Sequence, residues 1–168
     1  MLINCLFILA LENLKVIAKK INKPFTYEKI LEEVKANTKK AFYNAEIGAY
    51  ALTVGGTDFT VLGNSMAVLS GLTDKPIELC EKIVKEEFSE CSLSMKCFKY
   101  DALLLTDKEK WQGHVLDEIR RDYKKMMDVG ATSVWETIDG ASAFDNAGSL
   151  CHGWSAIPVY YFNLLKVK

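Results

Sequence analysis

The sequence predicts an all-α protein of helical hairpins, with short extended excursions in its loops. Three observations predict it. Apolar residues recur at spacings of three and four through most of the chain. Turn and capping residues interrupt these runs at roughly one-helix intervals. No strand alternates with the helices in the manner of a βαβ protein.

Taken in order, Leu6, Leu9, Ala10, Leu14, Ile17, Ala18 and Ile21 predict a first helix over 2–21 with those residues inward, ended by Lys23-Pro24. A second amphipathic run, 27–42, turns Ile30, Leu31, Val34, Ala41 and Phe42 inward, and the turn chemistry of 44–48 stops it. The stretch 48–56 reads as a short extended segment entering a Gly55-Gly56 turn. Further helices are expected over 64–72, 76–88 with Pro76 in the tolerated first turn, 94–105, 108–129 and 149–165. Three of the starts, at Asn64, Ser94 and Ser149, carry residues that satisfy orphan backbone donors, so capping is their expected role. Their weak likeness suggests hairpins with one buried and one half-solvated helix, as in a toroid or α-solenoid.

A chain of 168 residues is the length of a single domain, 1–168, and can bury about two-thirds of its unfolded surface. With 49% hydrophobic and 26% charged residues it falls outside the disordered classes. The 21 basic and 22 acidic residues are interspersed, which leaves no footprint for nucleic acid or an anionic membrane. Five widely spaced cysteines, an odd number among apolar neighbours, argue against a disulfide framework and against zinc spacing. They read as reduced thiols in a cytoplasmic protein. The opening 1–11 is hydrophobic, but it has no basic segment before it, and no stretch reaches the roughly 20 apolar residues that span a bilayer. No glycine-rich phosphate loop, metal-binding pair or calcium loop is present, so no cofactor is expected.

The most unusual segment is 128–154. It places Trp135, Trp154, His152, Glu136, Asp139, Asp145 and four glycines between two helices, where binding and catalytic groups concentrate. Aromatic faces beside carboxylates suit a carbohydrate, because apolar sugar faces stack on indole while hydroxyls take hydrogen bonds. A carboxylate next to Trp135 is partly desolvated, which tunes its acid–base behaviour.

Within this segment Gly130-Ala131-Thr132-Ser133-Val134-Trp135-Glu136, followed by Ser149-Leu150-Cys151-His152-Gly153-Trp154-Ser155-Ala156, resembles the closing motifs of the α-L-rhamnosidases and related six-hairpin glycosidases. Asn64-Ser65-Met66-Ala67-Val68-Leu69-Ser70-Gly71-Leu72 is similar to the family's helix before a Gly-Leu turn. The resemblance implies the carboxyl-terminal part of an (α/α) six-hairpin barrel. It implies Glu136 as general base of an inverting mechanism, His152 as a sugar-binding residue, and Trp135 as the wall beside the base. Trp154 is expected to line the same site. Inversion requires a second carboxylic acid about 6.5–9.5 Å away. In that family it comes from an upstream motif, in the half of the barrel that about seven helices do not supply. Asp101, Asp139 and Asp145 are local substitutes among which nothing selects.

The expected partner is therefore a carbohydrate, together with an upstream half of the barrel or self-association. The alternative is a non-catalytic helical-hairpin module that binds carbohydrate or protein, or a truncated remnant. Structural roles compete at each position. Glu136 could cap a helix or pair with Arg120 or Arg121. His152 could be a core or capping histidine, and Trp154 plain core. Trp111 reads as packing and His114 as functionally silent. Glu86-Glu87 and the face 117–125 read as solvated helix surface. A catalytic pairing of Cys151 with His152 is disfavoured, because adjacent residues on a helix face different ways.

Overall fold

A computed structural model of the chain describes residues 1–85 and 87–166. Glu86 therefore lies outside the described residues. The chain divides into two compact units, Met1–Glu90 and Cys91–Lys168.

The first unit holds α1 (Leu2–Lys20), α2 (Glu28–Phe42), a two-stranded ribbon of β1 (Tyr43–Asn44) and β2 (Ala49–Tyr50), α3 (Val61–Leu69) and α4 (Pro76–Val84). Helix α1 packs on both α2 and α3, and α3 on α4. Helix α3 begins three residues before its expected start, because Thr60 is the cap and its hydroxyl accepts from the Gly63 N–H at 3.0 Å. Asn64 is then interior to the helix and fully buried. Its amide is spent on β2: Oδ1 accepts from the Tyr50 N–H at 2.8 Å and Nδ2 donates to the Tyr50 carbonyl at 3.2 Å. A side chain thus completes the hydrogen bonding of a buried strand that lacks a second neighbour, as a buried backbone requires. After α3, Gly71 adopts φ +63°, and the N–H of Leu72 returns to the Ala67 carbonyl.

The inward face of α1 differs from expectation. Cys5, Ile8, Leu11 and Ala18 are buried, whereas Leu6, Leu14, Ile17 and Ile21 are exposed. The helix is apolar on two faces, so its 3.6-residue period does not decide which one meets α2 and α3.

The second unit holds α5 (Lys96–Thr106), reached through a 3-10 turn at Leu93–Met95, then α6 (Lys108–Asp128) and α7 (Pro158–Leu164). Asp107 caps α6 by accepting from the Lys110 N–H at 3.0 Å. Trp111 is buried, as expected of packing. Helix 149–165 does not form as a unit. Ser149 is turned back on Cys151, its Oγ accepting from that residue's N–H at 3.3 Å. The helix starts instead at Pro158, where a ring without an N–H is tolerated, as at Pro76 in α4. Tyr161 ties α7 to α5, its hydroxyl donating to Asp101 at 2.8 Å and to the Cys97 carbonyl at 2.9 Å.

Helices α5 and α6 are joined by buried ions. Lys96 Nζ lies 2.7 Å from Glu118 and 2.7 Å from Asp122, and Lys99 Nζ lies 2.9 Å from Glu118. Burial raises the Glu118 carboxyl, but the His114 imidazole 3.2 Å away and the charges of Lys99 and Lys96 outweigh it and hold the group well below the carboxylate range. The face 117–125 is therefore only partly solvated. Arg120, Arg121, Lys124 and Lys125 are exposed, while Glu118 and Asp122 are buried.

Seven α-helices of seven residues or more and one minimal ribbon among the described residues make the chain all-α. Among them, no helix is long and apolar enough to cross a membrane.

Candidate functional site

The segment 129–157 of the second unit is an open loop held by main-chain bonds rather than by a helix. The Glu136 N–H donates to the Ser149 carbonyl at 2.9 Å and the His152 N–H to the Val134 carbonyl at 2.9 Å. Ser133 Oγ adds a bond to the Leu150 carbonyl at 2.5 Å. These contacts lay 133–136 beside 149–152, so the backbone of Trp135 and Glu136 runs beside that of His152 in one clasp. The Leu93 N–H donates to the Glu136 carbonyl at 3.2 Å and fastens the clasp to the 3-10 turn before α5.

Between the two sides of the clasp, 137–148 forms a compact excursion. Phe144, Asp145 and Asn146 have φ of 51°, 56° and 70°, a left-handed turn that costs about 1–2 kcal/mol per residue. Gly140, at φ +58°, lies against the Trp135 ring: a Cβ there would sit 2.9 Å from an indole carbon. The indole is thereby fixed half-buried beside Glu136.

The four expected site residues fall as follows. Trp135, Glu136 and His152 are half-buried. Trp154 is 77% exposed on the 3-10 turn Gly153–Ser155, and its ring meets the His152 ring edge-on at 6.1 Å. It is not core. Arg120 pairs with Asp117 at 3.2 Å and Arg121 with Asp122 at 3.0 Å, whereas Glu136 is held by the loop itself. Its Oε2 accepts instead from the Ser149 N–H at 3.4 Å. Of the local acids, Asp101 is engaged with the Tyr161 hydroxyl, and Asp139 and Asp145 are exposed. Among the described residues no three His, Cys, Asp or Glu side chains gather to hold a metal.

Behind the clasp runs a groove of about 740 Å³, lined by Ile119, Tyr123, Met126, Val134, Pro158 and Phe162 among others. Glu136, Trp135, His152 and Trp154 are not among its lining residues. The hydroxyls of Thr137 and Ser155 are buried with no hydrogen-bond partner. The ionic cluster of Lys96, Lys99, Glu118 and Asp122 went unanticipated, although its signal is present: the two lysines are three apart, the two acids four apart, so each pair shares a helix face.

The fold is that of a helical-hairpin protein similar to part of a rhamnosidase barrel. The chain is similar to the solved GH78 family rhamnosidase of Bacillus sp. GL1, with 24% identity and a TM-score of 0.67 over 79% of this chain and 15% of that one. It is also similar to a rhamnosidase from Klebsiella oxytoca solved with rhamnose bound, with 17% identity and a TM-score of 0.78 over 98% of this chain and 34% of that one. The chain thus spans about a third or less of the rhamnosidase chains it matches. No family model matches it, and no curated protein does.

Proposed function

We propose that the chain is the carboxyl-terminal part of a rhamnosidase-type glycoside hydrolase acting in the cytoplasm on terminal deoxy-sugars, with Glu136 as general base of an inverting reaction. One observation carries the reading: on a rhamnosidase-like fold, the clasp sets Trp135-Glu136 beside Ser149–His152, with an exposed indole against the imidazole. In this reading the sugar's apolar face rests on Trp154 or Trp135, and His152 hydrogen-bonds a hydroxyl. The Glu136 carboxylate takes a proton from water as the water oxygen attacks the anomeric carbon from the face opposite the leaving group.

A natural glycoside also needs its departing oxygen protonated by a second carboxylic acid. Asp101 is engaged by Tyr161 and the loop acids are exposed, so that acid comes from further hairpins or another chain. The same observation favours a second reading, in which the loop binds sugar without hydrolysing it.

α-L-Rhamnosyl fluoride separates the two, because fluoride departs without a proton and the missing acid is no longer required. Under the hydrolytic reading the chain releases fluoride with β-L-rhamnose as the first product, Glu136→Gln lowers the rate by about 10²–10⁴-fold, and methyl α-L-rhamnoside is untouched. Absence of fluoride release above the uncatalysed rate rejects catalysis by Glu136 and leaves the binding reading.

A further inference from the structure

Helix α1 carries a second apolar face that is exposed among the described residues. Ile3, Phe7, Ala10, Leu14, Ile17 and Ile21 follow one another at steps of 4, 3, 4, 3 and 4, the a/d repeat of a coiled-coil seam. The five large residues of this seam are between 40% and 80% exposed. They lie apart from the Cys5, Ile8 and Leu11 face that packs within the unit. Together they present several hundred Å² of contiguous apolar surface, the size at which a patch marks a contact.

The order of steps reads the same from either end. Two copies of α1 laid antiparallel therefore match layer by layer: Ile3 meets the partner's Ile21, Phe7 the partner's Ile17, and Ala10 the partner's Leu14. A face that complements itself about a midpoint meets the requirement of a two-fold interface. The middle layer sets small against large, so the helices can approach closely there.

A second feature lies at the end of the seam. Leu14, Ile17 and Ile21 form one wall of an apolar hollow of about 170 Å³ whose other wall includes Pro24, Phe25 and Tyr27. In the antiparallel register the residue arriving opposite Ile21 is the partner's Ile3, and Ile3 is the most exposed of the seam at 80%. The hollow receives it, and the exchange occurs twice by symmetry. Two such faces bury on the order of 1,000 Å², the threshold of a specific interface.

We propose that this chain self-associates as a symmetric dimer through an antiparallel pairing of α1 with the α1 of a second copy. The proposal is argued from the first unit alone and makes no use of Trp135, Glu136 or His152. The longer chains of the matched rhamnosidases hold further segments that could cover such a face. A second copy of this chain presents the same repeat in the required order.

The test is sedimentation of the full chain from low to high micromolar concentration, alongside Ile17→Glu and the control Val159→Glu, which alters an exposed position outside α1. Both altered residues are exposed, and far-UV circular dichroism checks that each variant is folded. The expected result is a concentration-dependent dimer, weakened about 100-fold or more by Ile17→Glu because each buried seam then holds an unpaired charge, and unaffected by Val159→Glu. Register is read by mixing Phe7→Cys with Ile17→Cys chains: oxidation should link position 7 to position 17 and not 7 to 7. A monomer at all concentrations, a dimer indifferent to Ile17→Glu, larger aggregates, or 7-to-7 links would each overturn the proposal.

Discussion

Glu136 and Ser149 bond to each other twice: the Glu136 N–H donates to the Ser149 carbonyl at 2.9 Å, and the Ser149 N–H donates to the Glu136 carboxylate at 3.4 Å. The first bond needs no side chain and the second is long. Glu136→Gln, which keeps an acceptor oxygen, should therefore leave stability within about 1 kcal/mol of the parent. Thermal unfolding checks this. A much larger loss would make Glu136 a structural residue first.

Gly140 holds Trp135 in place by having no side chain. Gly140→Ala puts a Cβ at a positive φ and within 2.9 Å of the indole, so it should cost about 1–3 kcal/mol and displace the ring. Denaturant unfolding measures the loss, and a change in tryptophan fluorescence of the folded variant reports the displacement.

The ionic cluster between α5 and α6 sets the acid limit of the second unit. Glu118 is held ionised in the fold by His114, Lys99 and Lys96. Its folded pKa is depressed, so its contribution is complete above the unfolded value of about 4.3 and is lost as pH falls below it. Glu118→Gln should flatten stability against pH between about 5 and 2. Glu118→Ala should cost about 3–5 kcal/mol at neutral pH, since it removes a buried carboxylate that Lys96 and Lys99 share. Urea unfolding at a series of pH values measures both.

Among the phenols raised by burial, Tyr50 and Tyr161 contribute to the alkaline limit. Burial, and for Tyr161 the bond to Asp101, raise both phenols above the usual tyrosine range. The unfolded chain ionises them near pH 10 and the folded chain does not, so stability should fall by up to about 1.4 kcal/mol per pH unit for each above pH 10. Tyr161→Phe should make that limb shallower while costing about 1–2 kcal/mol at neutral pH through its two lost bonds. Thermal melts across pH 8–11 compare the two slopes.

Helix positions and the all-α class were legible because amphipathic period and punctuation are local properties. Thr60, Asp107, Pro76 and Gly71 act as their residue types predict. What failed was tertiary. Helix α1 is apolar on two faces, and only its neighbours decide that Ile8 goes in and Ile17 stays out. Asn64 reads as a cap until Tyr50, fourteen residues earlier, needs a partner for its backbone. Glu118 and Asp122 look solvated until Lys96 and Lys99 are folded against them. At the candidate site the residue types were readable, but the turn of Ser149 onto Cys151 and the helix start at Pro158 were not, so Trp154 was assigned to a helix it does not join.

In the proposed function the clasp of 133–136 with 149–152 forms a sugar site. Titration of the ¹⁵N-labelled chain with L-rhamnose, observed at the indole N–H resonances, tests it most directly. Saturable shifts of Trp135 and Trp154 are expected with Trp111 unmoved, and weaker binding in His152→Ala. Indole resonances that stay fixed, or that move equally with a sugar of unrelated stereochemistry, would contradict it.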